Sequence, residues 1–301
     1  MCARWRKCAT STPCGRDEAA GRKRGRRVML ERLAINQITT PAWSLEQAVA
    51  GYARHGVHGI GVWRDKLAEC GVGRARRLLR GAGAWVPSLC KAGDLAQWRE
   101  AGPRAAWDDC RRAIDEAAEI GAGAIVFVCG GGAAAGLERA RAEVLELLCE
   151  AAPLAARAGV RLGIEPFHPM HAAERGCVNT LAQALRLCEE AGAGCGVVVD
   201  VFHTWWDPDL HASLDSRHLP HVATVQLCDW RVPTRHPVND RAMMGDGAAD
   251  LPGLVRRLER NGYRGPYEVE IFSTDWWACA PDEVVRIAVD RCRKLWTAST
   301  A

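Results

Sequence analysis

Between Leu33 and Trp296 short, continuous apolar runs alternate with longer stretches whose apolar residues recur at helical spacing. Short apolar runs bounded by turn formers predict strands buried on both faces. Eight such runs are present: Leu33–Gln37, Gly59–Trp63, Trp85–Cys90, Ala124–Cys129, Val160–Glu165, Gly196–Asp200, Val222–Cys228 and Tyr267–Phe272. Each precedes a predicted helix, in order Ser44–His55, Asp65–Leu79, Pro103–Ile120, Gly136–Ala158, Thr180–Ala191, Pro208–Arg217, Leu251–Asn261 and Pro281–Trp296. Ser44 with Gln47 forms a capping-box signature, and Pro281 with Asp282 opens the last helix in the same manner. Gly121, Gly159 and Gly262 stand where helices must end and the chain must turn.

Eight strands and eight helices in strict alternation over about 270 residues match an α/β fold of the (β/α)8 TIM-barrel type. An open doubly wound sheet is the competitor, but no G-x-G-x-x-G pattern follows Gln37. The triplet Gly130–Gly132 after the fourth strand suits either an anion-binding nest or a plain loop. The expected organisation is a disordered basic tail over 1–30 and one barrel over 31–301.

Composition supports this reading. The chain has 301 residues, 48% apolar and 25% charged, which describes an ordinary globular protein. No apolar run reaches the length of a membrane span, so no membrane partner is expected. The net charge of +4 conceals an asymmetry, because residues 1–28 hold nine Lys/Arg against Asp17 and Glu18, leaving the remainder at −3. A basic arm suits contact with nucleic acid or an anionic surface; the plainer alternative is a misassigned start, with Met29 as the first residue. The acidic body makes nucleic acid an unlikely partner for the barrel. Fourteen irregularly spaced cysteines read as reduced thiols of a cytoplasmic protein.

A barrel carries its active site at the C-terminal ends of its strands. Strands one to four end in the mixed set Gln37, Trp63, Lys91 and Gly130, whereas the last four offer Glu165, Asp200, Gln226 and Glu270. Acids converging on one point resist joint ionisation. A divalent cation removes that cost, and all-oxygen donors suit Mn²⁺ or Mg²⁺. The alternative is that each acid pairs with an arginine or caps a helix. Glu268 shares a strand face with Glu270 but lies deeper, so Glu270 is the better ligand and Glu268 a paired, supporting group. Trp205, Trp206, Trp230, Trp276 and Trp277 follow strands six to eight and suit stacking on sugar C–H faces. Arg231 and Arg241, in the long seventh loop, suit an anionic substituent.

Five motifs carry a resemblance: Gly163–Pro169 (GIEPFHP), Val199–Pro208 (VDVFHTWWDP), Gln226–Arg231 (QLCDWR), Met243–Gly247 (MMGDG) and Glu268–Ser273 (EVEIFS). Through them Leu33–Trp296 resembles the xylose-isomerase-like TIM-barrel superfamily of sugar isomerases and epimerases. The resemblance implies one divalent metal held by Glu165, Asp200, Gln226 and Glu270, with Gln226 as in the hydroxypyruvate-isomerase-like branch. It implies that His203, spaced from Asp200 as Asp-x-x-His, meets substrate hydroxyls. Ketose epimerases of this fold tend to carry a further Glu where this chain has His168 and His171; His171 is thus either a substrate contact or a rim histidine. Arg231 and Trp206 complete the expected substrate contacts. The implied chemistry is isomerisation or epimerisation of a sugar or hydroxy-keto acid through a cis-enediolate, with Glu165 or Glu270 removing the proton. Rival readings are an inosose-type dehydratase and a catalytically silent binding barrel. An abasic-site endonuclease would need more rim ligands than Gln37, Trp63 and Lys91 supply. A homo-oligomer is expected by analogy alone.

Overall fold

The computed structural model describes residues 30–93, 102–132 and 136–300; the expectation for the basic tail falls outside them, Leu30 excepted. Eight parallel strands close a barrel: β1 (Leu33–Asn36), β2 (Gly59–Trp63), β3 (Val86–Ala92), β4 (Ala122–Val128), β5 (Arg161–Glu165), β6 (Cys195–Asp200), β7 (Val222–Leu227) and β10 (Tyr267–Val269). The order around the barrel is β1-β10-β7-β6-β5-β4-β3-β2. A second, two-stranded antiparallel sheet joins β8 (Asp229–Trp230) to β9 (Arg241–Ala242).

Strands covered on both faces need no polar alternation, which is why Ile125–Val128 and Val197–Val199 run continuously apolar and buried. The helices bury one stripe each. In Leu251–Arg260 the buried residues are Leu251, Leu254, Val255 and Leu258, spaced to fall on one face, while Asp250 caps the start by accepting from the Gly253 N–H at 2.9 Å. Ser44 and Gln47 form the reciprocal capping box at Leu45–Arg54.

Departures from the sequence expectation have local causes. The stretch Asp65–Leu79 forms two helices, Arg64–Cys70 and Val72–Gly81, because Gly71 between them has a φ of +82°. The helix expected over Pro208–Arg217 shrinks to Leu210–Ser213. There Asp215 accepts the backbone N–H groups of Arg217 and His218, both at 3.0 Å, and so offers the backbone an alternative to a helical ladder.

The barrel interior carries one polar layer. Glu268 accepts hydrogen bonds from Asn36 Nδ2 at 2.6 Å and from Ser88 Oγ at 2.9 Å. Gly61 makes room for it: a Cβ at that position would collide with the Glu268 carboxylate. Above this layer Cys90, Val126, Val128, Phe167 and Val198 pack together beneath the mouth. No helix among the described residues is long and apolar enough to cross a membrane, and the described cysteines are free thiols.

Candidate active site

The last four strands around the arc, β5, β6, β7 and β10, deliver the acidic cluster. Asp200 closes β6 and registers with Gln226 of β7, which in turn registers with Glu268 of β10. Glu165 ends β5, and Glu270 follows β10 by one residue. All are buried, Asp200 and Gln226 completely. Ligand atoms of Glu165, Asp200 and His203 lie within 4.8 Å of one another. A cavity of about 260 Å³ opens above them, with Glu165, Glu270, His203 and Arg241 among its polar lining and Trp63, Phe167, Phe202 and Phe272 among its aromatic walls.

Burial dominates the electrostatics. It pushes the Glu165 carboxyl well above the usual range, and the nearby charges of Asp200 and Glu270 add to the effect. Burial raises Asp200 too, opposed by Arg241, and lifts Glu270 to about 8 against the pull of the same arginine. Arg241 itself is buried, yet Asp200 and Glu270 keep it protonated. Its Nη2 lies 2.9 Å from Asp200 Oδ2, and its Nη1 donates to Glu270 Oε2 at 2.9 Å. The guanidinium lies over the rings of Phe202 and Phe272, at 4.7 and 4.9 Å from their centroids.

The residues present fit a divalent cation. Three buried acids face one guanidinium, and both amide atoms of Gln226 are buried with no hydrogen-bond partner among the described residues. Left unsatisfied, each such buried amide atom costs roughly 1–3 kcal/mol, a cost that a cation met by the amide oxygen would reduce. Glu165 and Asp200 bring ligand atoms together here, and Gln226 and Glu270 add oxygen donors from the neighbouring strands.

His203 stands apart from this oxygen set. Its Nδ1 accepts from the His168 backbone N–H at 3.2 Å, and burial holds the ring neutral, well below the usual histidine value. A neutral ring that accepts at Nδ1 carries its proton on Nε2. That nitrogen, 3.8 Å from Asp200 Oδ2, is therefore a donor facing the cavity rather than a free lone pair for a metal.

The other expected contacts lie elsewhere. His171 does not line the cavity; its Nε2 meets the Pro237 carbonyl at 3.2 Å and its ring packs against Phe167 and His203. Arg231 reaches Asp240 at 2.9 Å and Asp275 at 3.2 Å, outside the cavity lining. Trp206 donates from Nε1 to the His203 carbonyl at 2.8 Å, bracing the histidine from behind. Arg241, expected from the sequence to suit an anionic substituent or to be a solvated loop arginine, is brought inward by the β8–β9 pairing onto Asp200 and Glu270. Asp229 ties that loop by accepting from the backbone N–H of Gly245, Gly247 and Ala249 at 2.9–3.0 Å. Arg175 and Lys91 also line the cavity, and no spacing in the sequence marks either.

Glu268, one layer down, is raised by burial to about 7, against the hydrogen bonds of Asn36, Ser88 and Thr224. A carboxyl whose folded value exceeds its unfolded one binds more protons when folded, so its contribution to stability falls as pH rises between about 4.5 and 7. The Glu268→Gln variant is expected to flatten the pH dependence of the metal-free protein over that window. Denaturant melts at pH 5 and pH 8 check it; an unchanged slope contradicts the assignment.

The chain is similar to several known proteins. Residues 49–295 match the family model described as "Xylose isomerase-like TIM barrel". The crystal structure of protein SMc04130 from Sinorhizobium meliloti 1021 superposes with a TM-score of 0.84 at 45% identity, over 88% of this chain and 98% of that one. Inosose isomerase of Halalkalibacterium halodurans is 26% identical over 153 residues, 48% of this chain and 51% of the relative. The 3-dehydroshikimate dehydratase of Pseudomonas aeruginosa is 32% identical over 195 residues, 61% of this chain and 28% of the relative. The chain thus spans about half the length of the first curated relative and under a third of the second.

Proposed function

This chain belongs to the xylose isomerase-like TIM barrel family, and we propose that it is a divalent-metal-dependent isomerase or epimerase of a sugar or hydroxy-keto acid. The observation that carries the reading is the Gln226 amide, without a hydrogen-bond partner among the described residues, set among three buried acids at the barrel mouth. Four oxygen donors suit Mn²⁺ or Mg²⁺. When bound, such an ion supplies Lewis acidity, offsetting negative charge that develops on a carbonyl oxygen.

The chain's own groups supply the rest. Glu165 and Glu270 stand on the two outer strands of the arc, with Asp200 and Gln226 between them. Once ionised, either carboxylate takes the proton from the carbon next to the carbonyl, giving an enediolate. Return of that proton to the neighbouring carbon, with the hydroxyl proton passing to the former carbonyl oxygen, isomerises the substrate. Delivery by the other glutamate to the opposite face of the same carbon epimerises it. His203 donates from Nε2 to a substrate oxygen, and the aromatic walls exclude water. Similarity to a dehydratase supports a second reading, in which the same carboxylate removes the proton and a neighbouring hydroxyl leaves.

Incubation in D₂O with Mn²⁺ or Mg²⁺ and a panel of ketoses and hydroxy-keto acids tests both. Solvent deuterium at the carbon next to the carbonyl is expected. An unsaturated product with loss of water selects the dehydratase, and no exchange with any member of the panel contradicts proton transfer altogether.

A further inference from the structure

We propose that Trp63 is the wall that meets the far end of the substrate, and that Asn36, anchored by Glu268, is the residue that positions it. This rests on the reading of the cavity as the substrate site and adds the residues that gauge the length of what enters.

The order of strands puts Trp63 across the mouth from the acids. It closes β2, and Asp200 closes β6. These strands stand four apart in either direction around the closed barrel. Trp63, half-buried, lines the same cavity as Glu165 and Glu270. A substrate held by its oxygens at the acidic arc therefore extends toward the indole. The wall is continuous between them: Trp63 packs edge-on against Phe272, centroids 5.7 Å apart, and Phe272 lies under the Arg241 guanidinium.

Two consecutive residues at the end of β1 hold this wall in place. The Trp63 backbone N–H donates to Gln37 Oε1 at 3.0 Å, and its Nε1 donates to Asn36 Oδ1 at 2.6 Å. The indole N–H is thus turned onto Asn36, which leaves the carbon surface of the ring to pack on substrate C–H groups. Asn36 is itself locked. Its Oδ1 also accepts from the Ile38 N–H at 3.1 Å, while its Nδ2 donates to Glu268 Oε1 at 2.6 Å. A flipped amide would set two donors together at the indole and an oxygen against the Glu268 carboxyl. Ser88 Oγ holds that carboxyl in turn, 2.9 Å from both oxygens. Asn36, Ser88 and Glu268 are completely buried, and a satisfied buried network of this kind fixes a single arrangement. Through Asn36 the polar layer below the mouth sets where the far wall stands.

The Mg²⁺-loaded full chain with ¹⁵N-labelled indoles, titrated with dihydroxyacetone, L-erythrulose and D-fructose, tests the inference. The Trp63 resonance is the one that Trp63→Phe removes. It is expected to move with D-fructose more than with dihydroxyacetone, and its N–H to exchange with solvent at least tenfold more slowly than that of an exposed indole. Trp63→Phe should weaken D-fructose by about fivefold and dihydroxyacetone by less than about twofold. Asn36→Ala should speed exchange of the Trp63 N–H by about tenfold and cause the same selective loss. In the Trp63→Phe background it should add less than about twofold, because both changes act through one ring. Trp63→Phe leaves the buried layer intact, so it and the exchange rate in the unaltered chain carry the test if Asn36→Ala does not fold. A Trp63 resonance that no ketose moves, losses equal for long and short ketoses, fast exchange in the unaltered chain, or additive losses in the double variant overturns the inference. Length-dependent binding at Trp63 without deuterium exchange would keep it and remove the proton-transfer reading instead.

Discussion

The Glu270→Gln variant is expected to lower turnover by about 10²–10⁴-fold, the usual worth of one general acid–base group. The isostere keeps a hydrogen-bond acceptor toward Arg241 but cannot accept a proton from carbon, and it removes one negative charge from the ion's surroundings. Both effects act together, so the loss should appear in kcat more than in KM for substrate measured at saturating metal. The metal concentration giving half activity should rise as well. Steady-state kinetics across a Mn²⁺ titration separates the two, and turnover near that of the unaltered enzyme would take Glu270 out of the mechanism.

Arg241→Met should produce the largest change in stability. Its guanidinium is buried, paired with Asp200 and Glu270 and lying over two aromatic rings. Removing one member of a buried ionic group costs about 3–5 kcal/mol, because the remaining charges lose their counter-charge inside the protein. For a chain of this size that corresponds to a fall in Tm on the order of 10 °C. Two further signatures follow. The deficit should be smaller at pH 5.5 than at pH 8, because the Glu270 carboxyl, raised to about 8, is protonated at the lower pH. Divalent cation should recover part of it at pH 8, by returning positive charge to the same three acids. A deficit independent of both pH and metal would mean that Arg241 acts through packing alone.

Much of the frame was legible because it is written in local physics. Parallel strands buried on both faces leave uninterrupted apolar runs such as Val197–Val199, and helix starts announce themselves through caps such as Ser44 with Gln47. The alternation of the two periods then fixes the barrel, and the barrel rule directs attention to the strand ends. Gathering of Glu165, Asp200, Gln226 and Glu270 on neighbouring strands was readable for that reason. Other features were not, because they depend on contacts between distant loops. Arg231 and Arg241 look alike in sequence, ten residues apart in one loop without periodicity. The β8–β9 pairing, fastened by Asp229, turns Arg241 into the acids, while Asp240 and Asp275 hold Arg231 outside the cavity. The Asp215 turn that cuts short the helix at Leu210–Ser213 is equally invisible to a periodicity argument, since it depends on one side chain capturing two amides. Arg175 sits in the loop after β5, where nothing nearby in the sequence distinguishes it from a solvated arginine.

The central claim is that these acids and the Gln226 amide meet around one cation. Calorimetric titration of metal-free protein with Mn²⁺, at pH 6 and pH 8 in two buffers of different ionisation enthalpy, tests it most directly. One ion per chain is predicted, bound more tightly at pH 8 and with release of protons, because raised carboxyls must lose them to coordinate; Asp200→Asn should abolish most of the heat. No binding, or binding that is unchanged by Asp200→Asn and releases no protons, would contradict the claim.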